Sequence, residues 1–389
     1  MAQAKGSKGR LGYQEETAFG IMPASFALKN LYFVSESLSE KINAITSDVI
    51  RDSRNPVMPV RGNRDVSGTI KTQLAPSLGT LLRAALGANT TTGASSPYTH
   101  TMKVGDLPSL FFEKGFTDLG AYLLFAGCKV NRLSISAKPE GYQDISFDVF
   151  GAYEAQALKY KTQTGNFAVG NTLAGGTSTH TALIKGDNDG GETGLLCLLN
   201  ATGVFQDGEA LSDSGTGAAV ADGTLGSASV DSSLTDPGHA PFNGFSIATV
   251  QEGGSDIACL SAVDIVVENN LDGNSYVLGG GGVRRAIPEG TVKVSGTLTA
   301  LFESMALYQK ALSFTESSLK LIWKHGTGAG TAGNESLEIL IPELKFSKET
   351  PAIEGPKGIL YKGPFEAYYH DAVQASAIQI ILKNAEATI

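Results

Sequence analysis

The sequence predicts a mainly β protein: two related β-rich halves with a small all-β unit inserted between them. Three observations carry that reading. The chain holds 47 Gly against a single Trp and only 18% charged residues, a composition of strands and turns dressed with small polar side chains. Val66-Ser67-Gly68-Thr69-Ile70 returns as Val294-Ser295-Gly296-Thr297-Leu298, with matching surroundings. A shorter motif occurs twice in the acidic stretch between them. At 389 residues the chain is long enough for two or three cores.

The opening segment, residues 1–12, carries Lys5, Lys8 and Arg10 without an apolar run behind it. It reads as a basic arm that orders on assembly, and not as a secretory signal. A strand follows at Thr46–Ile50, then a long polar loop. After it Val66, Gly68 and Ile70 alternate as in a half-buried strand. Leu74, Leu78, Leu81, Leu82 and Ala85 then recur at the spacing of a helix that lays one face on a sheet. Leu133–Ile135 and Ile145–Val149 add two strands, closing on Gly151-Ala152-Tyr153. The same order recurs later. A strand at Val263–Val267 precedes a polar loop, Val292, Val294, Gly296 and Leu298 alternate, and Leu301, Met305, Tyr308 and Leu312 take helical spacing. Leu344–Phe346 and Ile359–Tyr361 close on Glu366-Ala367-Tyr368.

Between the halves, Gly165-Asn166-Phe167-Ala168-Val169-Gly170-Asn171-Thr172-Leu173 aligns with Gly203-Val204-Phe205-Gln206-Asp207-Gly208-Glu209-Ala210-Leu211. A Phe before a Gly turn and a Leu after it would pin the register of a small hairpin. Gly194–Leu199 reads as a buried strand. The expected division is 1–157, an inserted unit over 158–238 that projects from the surface, and 239–389, with about 154 residues per half. Net charge is −9, yet Thr162–Pro237 holds nine acids and one base, so the acidity belongs to the insertion.

Little of this sequence carries reaction chemistry. Cys128, Cys197 and Cys259 are odd in number and far apart, so they read as buried free thiols in a protein made in a reducing cytoplasm. The apolar run Leu119–Cys128 is about half of the ~20 residues that span a bilayer. No pair among His100, His180, His239, His325 and His370 has metal-ligand spacing, and structural or exposed roles are expected. Gly279–Gly282 lacks the Lys-Ser/Thr and helix of a phosphate loop. Asp187–Glu192 departs from a calcium loop where it would need an acidic residue at Leu198, leaving an acidic turn as the plain reading and weak calcium binding as the alternative. No nucleophile, base and orienting group can be assembled, so no enzyme, cofactor or metal site is expected.

The arginines are more informative. Of nine, Arg51, Arg54, Arg61 and Arg64 lie in the long loop of the first half, and Arg284 and Arg285 in its counterpart in the second. A solvated loop would take Lys as readily; the planar fork points to carboxylate pairing across an inter-subunit or inter-ring contact. Direct nucleic-acid contact would want a basic domain, and neither half is strongly basic.

Glu16-Thr17-Ala18-Phe19-Gly20, Pro23, Leu31, Ser35-Glu36-Ser37, Thr46–Arg51 and Val66-Ser67-Gly68 together resemble the opening of tail tube proteins of long-tailed bacteriophages. Val294-Ser295-Gly296, Leu307-Tyr308, Leu340-Ile341-Pro342 and Phe365-Glu366-Ala367-Tyr368 resemble the same family. The resemblance implies β-sandwich domains, each with a flanking helix, whose strands join those of neighbours into a barrel around a lumen. It implies a virion tail component whose rings stack into a conduit for the genome, with DNA and a tape measure protein inside and terminator and tip proteins at the ends. The long loops carrying Arg51–Arg64 and Val277–Arg285 would reach the adjacent ring. Two family domains in one chain imply a trimeric ring with pseudo-sixfold symmetry. The competing reading is an adhesin whose inserted unit binds carbohydrate or a cell surface.

Overall fold

The computed structural model describes residues 3–236, 238, 240–353 and 355–389; the expectation for His239 lies outside them. The first half contains β1 (Gly9–Glu15), β2 (Lys29–Asn30), β3 (Ser35–Glu36), β4 (Ser39–Ile45), β5 (Val60–Gln73) and α1 (Gly79–Leu86). β6 (Gly87–Thr92), β7 (Tyr98–Val104), β8 (Leu110–Phe116), β9 (Ala121–Ala137), β10 (Asp144–Gly151) and β11 (Tyr153–Gly165) follow. The middle adds β12 (Thr172–Gly175), β13 (Thr181–Asp189), β14 (Gly194–Leu199), β15 (Ala210–Asp213) and β16 (Ala218–Ala221). The second half contains β17 (Ile247–Glu252), β18 (Ser255–Asp256), β19 (Leu260–Glu268), β20 (Lys293–Leu301), α2 (Ala306–Leu312), β21 (Glu316–Lys324), β22 (Ser336–Phe346), β23 (Leu360–Ala367) and β24 (Gln379–Asn384).

The central sheet runs β4-β5-β10-β9-β19-β20-β23, each neighbour antiparallel. β10, the second part of β9 and β19 alternate. Ile145, Phe147 and Val149 of β10, Leu133 and Ile135 of β9, and Val263, Ile265 and Val267 of β19 enter one core, each worth roughly 1.5–3 kcal/mol of apolar burial. Their sequence neighbours Ser146, Ser134, Ser136 and Asp264 stand on the opposite, polar face. β9 also belongs to a second sheet: Ala121–Cys128 pairs with β8, whose far edge carries β1, and the start of β11 pairs on β9's other side. Gly127 marks the changeover at φ +65°; a Cβ there would meet Ala152 Cβ at 2.7 Å. This is a bend that only a glycine fits.

The duplication is visible in register. Val66 opposes Gly151 as Val294 opposes Ala367, and Gly68 opposes Val149 as Gly296 opposes Phe365. β1, β4, β8 and β9 thus correspond to β17, β19, β21 and β22. The halves join head to tail, because β9 closes the sheet of the first and β19 opens that of the second.

Three local expectations change. Gly9–Gly12 is no arm: β1 pairs along its whole length with β8, Leu11 is fully buried, and Arg10 bonds both Glu113 and Ser229 Oγ. Burying Leu11 and giving Arg10 a carboxylate fixes the segment within its own chain. Thr46–Ile50 is not a strand: β4 ends at Ile45, and Val49 and Ile50 are exposed without a ladder partner. Alternation alone cannot supply that partner. The two helices also differ. α1 is buried because β7 and the C-terminal Leu382 and Ile389 cover it. α2 has no such cover, so Met305 and Leu312 stay exposed, Ala311 is its buried residue, and Leu301 belongs to β20.

The middle segment closes on itself. β11 pairs with β14 and β16, and the ring β11-β14-β13-β12-β15-β16 is antiparallel throughout, a six-stranded barrel. Closure leaves no free edge. Its core is its own: Leu158, Tyr160, Phe167, Ile184, Leu196, Leu198, Phe205 and Leu211. The repeated motif forms two equivalent turns with Gly170 and Gly208 both at positive φ, and the strands after them, β12 and β15, pair with each other. After Ala221 the chain returns to the body, where Val230 N donates to Glu113 and Leu28 N to Asp231.

Candidate assembly surface

Two loops of the halves, β4–β5 and β19–β20, carry part of the exposed apolar surface. The β4–β5 hairpin and its tip expose Ile42, Ile45, Val49, Ile50, Met58 and Val60, with Ile50 97% exposed. The counterpart loop between β19 and β20 exposes Val277 and Leu278. Such clusters on a polar protein mark contact surfaces. Arginine content drew attention to these loops, yet the apolar tips were missed. The signal was available as aliphatic residues inside a polar loop with no alternating partner strand.

The six arginines divide by environment, and Arg61 and Arg64 lie not in the loop but in β5, laddered against β4. Arg51, Arg54 and Arg285 are exposed. Arg61 is exposed and donates to Asn200 Oδ1 at 2.9 Å; burial of its head and the neighbouring Arg64 charge lower its pKa. Arg64 is buried and spent on Glu40 and Asn200, tying the hairpin to the barrel. Arg284 is buried at the junction of the halves. It donates to Gly273 O at 2.6 Å, Val66 O at 2.8 Å and Gly151 O at 2.7 Å and pairs with Asp65, between the rings of Phe150 and Tyr276. The guanidinium fork found its acceptors, but for Arg64 and Arg284 they lie within the same chain. Local sequence could not show this, since two of the three carbonyls of Arg284 come from strands 133 and 218 residues away.

Buried acids elsewhere are structural. Glu16 accepts from Gly20 N and Gly127 N, and burial pushes its pKa up to about 7. Glu113 is likewise raised by burial, held back by the donors of Val230, Ser229 and Arg10. In the acidic turn, burial raises Asp187 to about 6 while Tyr160 Oη donates to it, and Asp189 accepts from Gly191 N. His100 bonds Thr91 and Asn384, and His325 stacks on Phe242. Cys128 and Cys197 are buried and unpaired, Cys259 half-buried. Among the described residues no three His, Cys, Asp or Glu gather as a metal site, and no helix is long and apolar enough to cross a membrane.

The polar face of the central sheet is nearly balanced in charge. Asp144, Asp148, Asp264, Glu268 and Glu366 share it with Lys71, Arg132, Lys293 and Lys362, and Lys293 pairs with Glu366 at 2.9 Å. Ser and Thr fill most of the remainder. No curated protein matches the chain. A family model described as phage tail tube protein matches residues 6–193 and again 199–367, one match to each side of the middle of the small barrel. Two tandem matches covering most of the chain, on a duplicated β fold whose halves join head to tail, place this protein in the phage tail tube protein family.

Proposed function

We propose that the chain is one third of a tube ring: three copies close a pseudo-sixfold barrel, and rings stack into a conduit through which the genome is delivered. The observation that carries this is the junction inside the chain. β9 of one half bonds β19 of the next, so two family units already sit side by side in one continuous sheet, and a sheet with two open edges is completed by closure. The polar face of that sheet lines the lumen in this reading, where DNA and a tape measure protein pass. Its balanced charge gives no counterion-releasing basic track on which DNA would stick.

The exposed hairpin tip, with Ile50, Met58, Arg51 and Arg54, and the second loop, with Leu278 and Arg285, make the contacts to the adjacent ring. The six-stranded barrel over residues 158–221, the core of the inserted unit, stands on the outside, where its acidity cannot crowd the lumen. Terminator and tip proteins meet the tube ends. Cryo-electron microscopy of the purified protein tests the reading: three outer barrels per ring are expected, and six identical ones would refute it.

A further inference from the structure

We infer the strand joint between copies from the joint already present within the chain; the inference rests on the tube reading. The chain from Val130 to Gly151 and that from Phe346 to Ala367 have the same length. Val130 opposes Val149 as Phe346 opposes Phe365. Residues 348–353 therefore hold the places of 132–137. In the first half those places extend β9 and bond β10 and β19. In the second they carry no ladder, stand apart from β23 across an open groove of about 540 Å³, and leave Ile353 80% exposed. One half is complete where the other is unfinished.

The missing partner is the opposite edge of another copy. Ser39 opposes Ser67 and Glu40 opposes Val66, as Val266 opposes Ser295 and Val267 opposes Val294. Ser37, Leu38 and Ser39 thus correspond to Asp264, Ile265 and Val266. Since Asp264 meets Ser136 and Val266 meets Ser134, Ser37 of one copy meets Ala352 of the next, and Ser39 meets Thr350. Leu38 then faces Pro351.

The edge is built for that register. Ser37 N donates inward to Thr69 O, so antiparallel alternation turns the Leu38 N–H and C=O outward. Both are held by side chains acting as stand-ins: Leu38 N donates to Glu36 at 3.0 Å, and Lys114 Nζ donates to Leu38 O at 3.1 Å. In the joint, Leu38 N–H turns to Pro351 O. Pro351 has no N–H to return, and Lys114 continues to supply that donor. Glu349 comes against Glu40, whose charge Arg64 already neutralises, and Lys348 comes against Lys41, beside Asp65.

Paired cysteines on the polar face test the register, in a Cys259→Ser background. Full-length S39C/T350C and S37C/A352C proteins are assembled, imaged, oxidised and run on non-reducing gels, with S39C/A352C as the off-register control. Directly opposed residues lie within disulfide reach and diagonal ones beyond it. In-register pairs should give dimers and trimers and nothing larger, at about tenfold the yield of the control. Hydrogen exchange on the unsubstituted protein needs no variant and should show residues 348–353 and the Leu38 amide slowed at least about tenfold in tubes relative to the free chain. Intact tubes with no preference for the in-register pairs, or with 348–353 unprotected, overturn the joint alone. Absence of rings or tubes from the unsubstituted protein overturns the tube reading and the joint with it.

Discussion

Arg284→Ala and Arg285→Ala are adjacent substitutions, the first expected to destabilise the fold strongly and the second hardly at all. Arg284 makes three bonds to backbone carbonyls and one to Asp65. A charged donor is worth about 1.5–3 kcal/mol per bond, and an acceptor left buried without one costs a similar amount. Gly273 O lies on a loop that can relax towards water, and Asp65 is 43% exposed on its side chain, so both are discounted. Val66 O, in the middle of β5, and Gly151 O, at the end of β10, are both buried. Counting those two alone gives a loss of about 3–6 kcal/mol for Arg284→Ala, which overlaps the range for breaking a buried charged contact. Arg284→Lys keeps the charge without the fork and should recover at most about half of that loss. Arg285 is exposed, and its removal should change stability by less than about 0.5 kcal/mol. Urea unfolding of the unassembled protein, followed by emission of the buried, sole Trp323, reads both. An Arg284→Ala protein within about 1 kcal/mol of the parent would refute the assignment of this arginine as the clasp between the halves.

Assembly and stability should separate at the loop tips. Ile50→Asp and Leu278→Asp remove exposed side chains, so unfolding midpoints should hold while tube length in electron micrographs collapses; normal tubes would remove these tips from the contact. Glu16 titrates with the opposite sense to a salt-bridged acid. Because the folded state raises its pKa from 4.5 to about 7, its contribution to stability falls as pH climbs through that window, by up to about 3 kcal/mol. Glu16→Gln should therefore gain on the parent between pH 5 and pH 8, and a pH-independent difference would refute the buried-carboxyl account. Gly170→Ala and Gly208→Ala meet open space but positive φ, so each should cost about 1 kcal/mol. Equal costs are expected from equivalent turns, and an effect at one site alone would break the equivalence.

The repeats, the β class and the acidity of the middle segment were legible in the sequence, since each is written in local residue order. Val-Ser-Gly-Thr at two places marks the same strand twice, and the G-x-F-x-x-G frame marks the same turn twice. Which arginines are buried, where β4 ends and what covers each helix were not, because each depends on strands brought from far along the chain. α1 and α2 share an apolar spacing, yet β7, Leu382 and Ile389 bury the first and nothing equivalent reaches the second. The sequence by itself determined that the chain is a doubled β domain. Only the tertiary structure decided that the two halves bond head to tail, because an antiparallel ladder is read from backbone groups that every residue carries alike, and its partner is set by the fold around it.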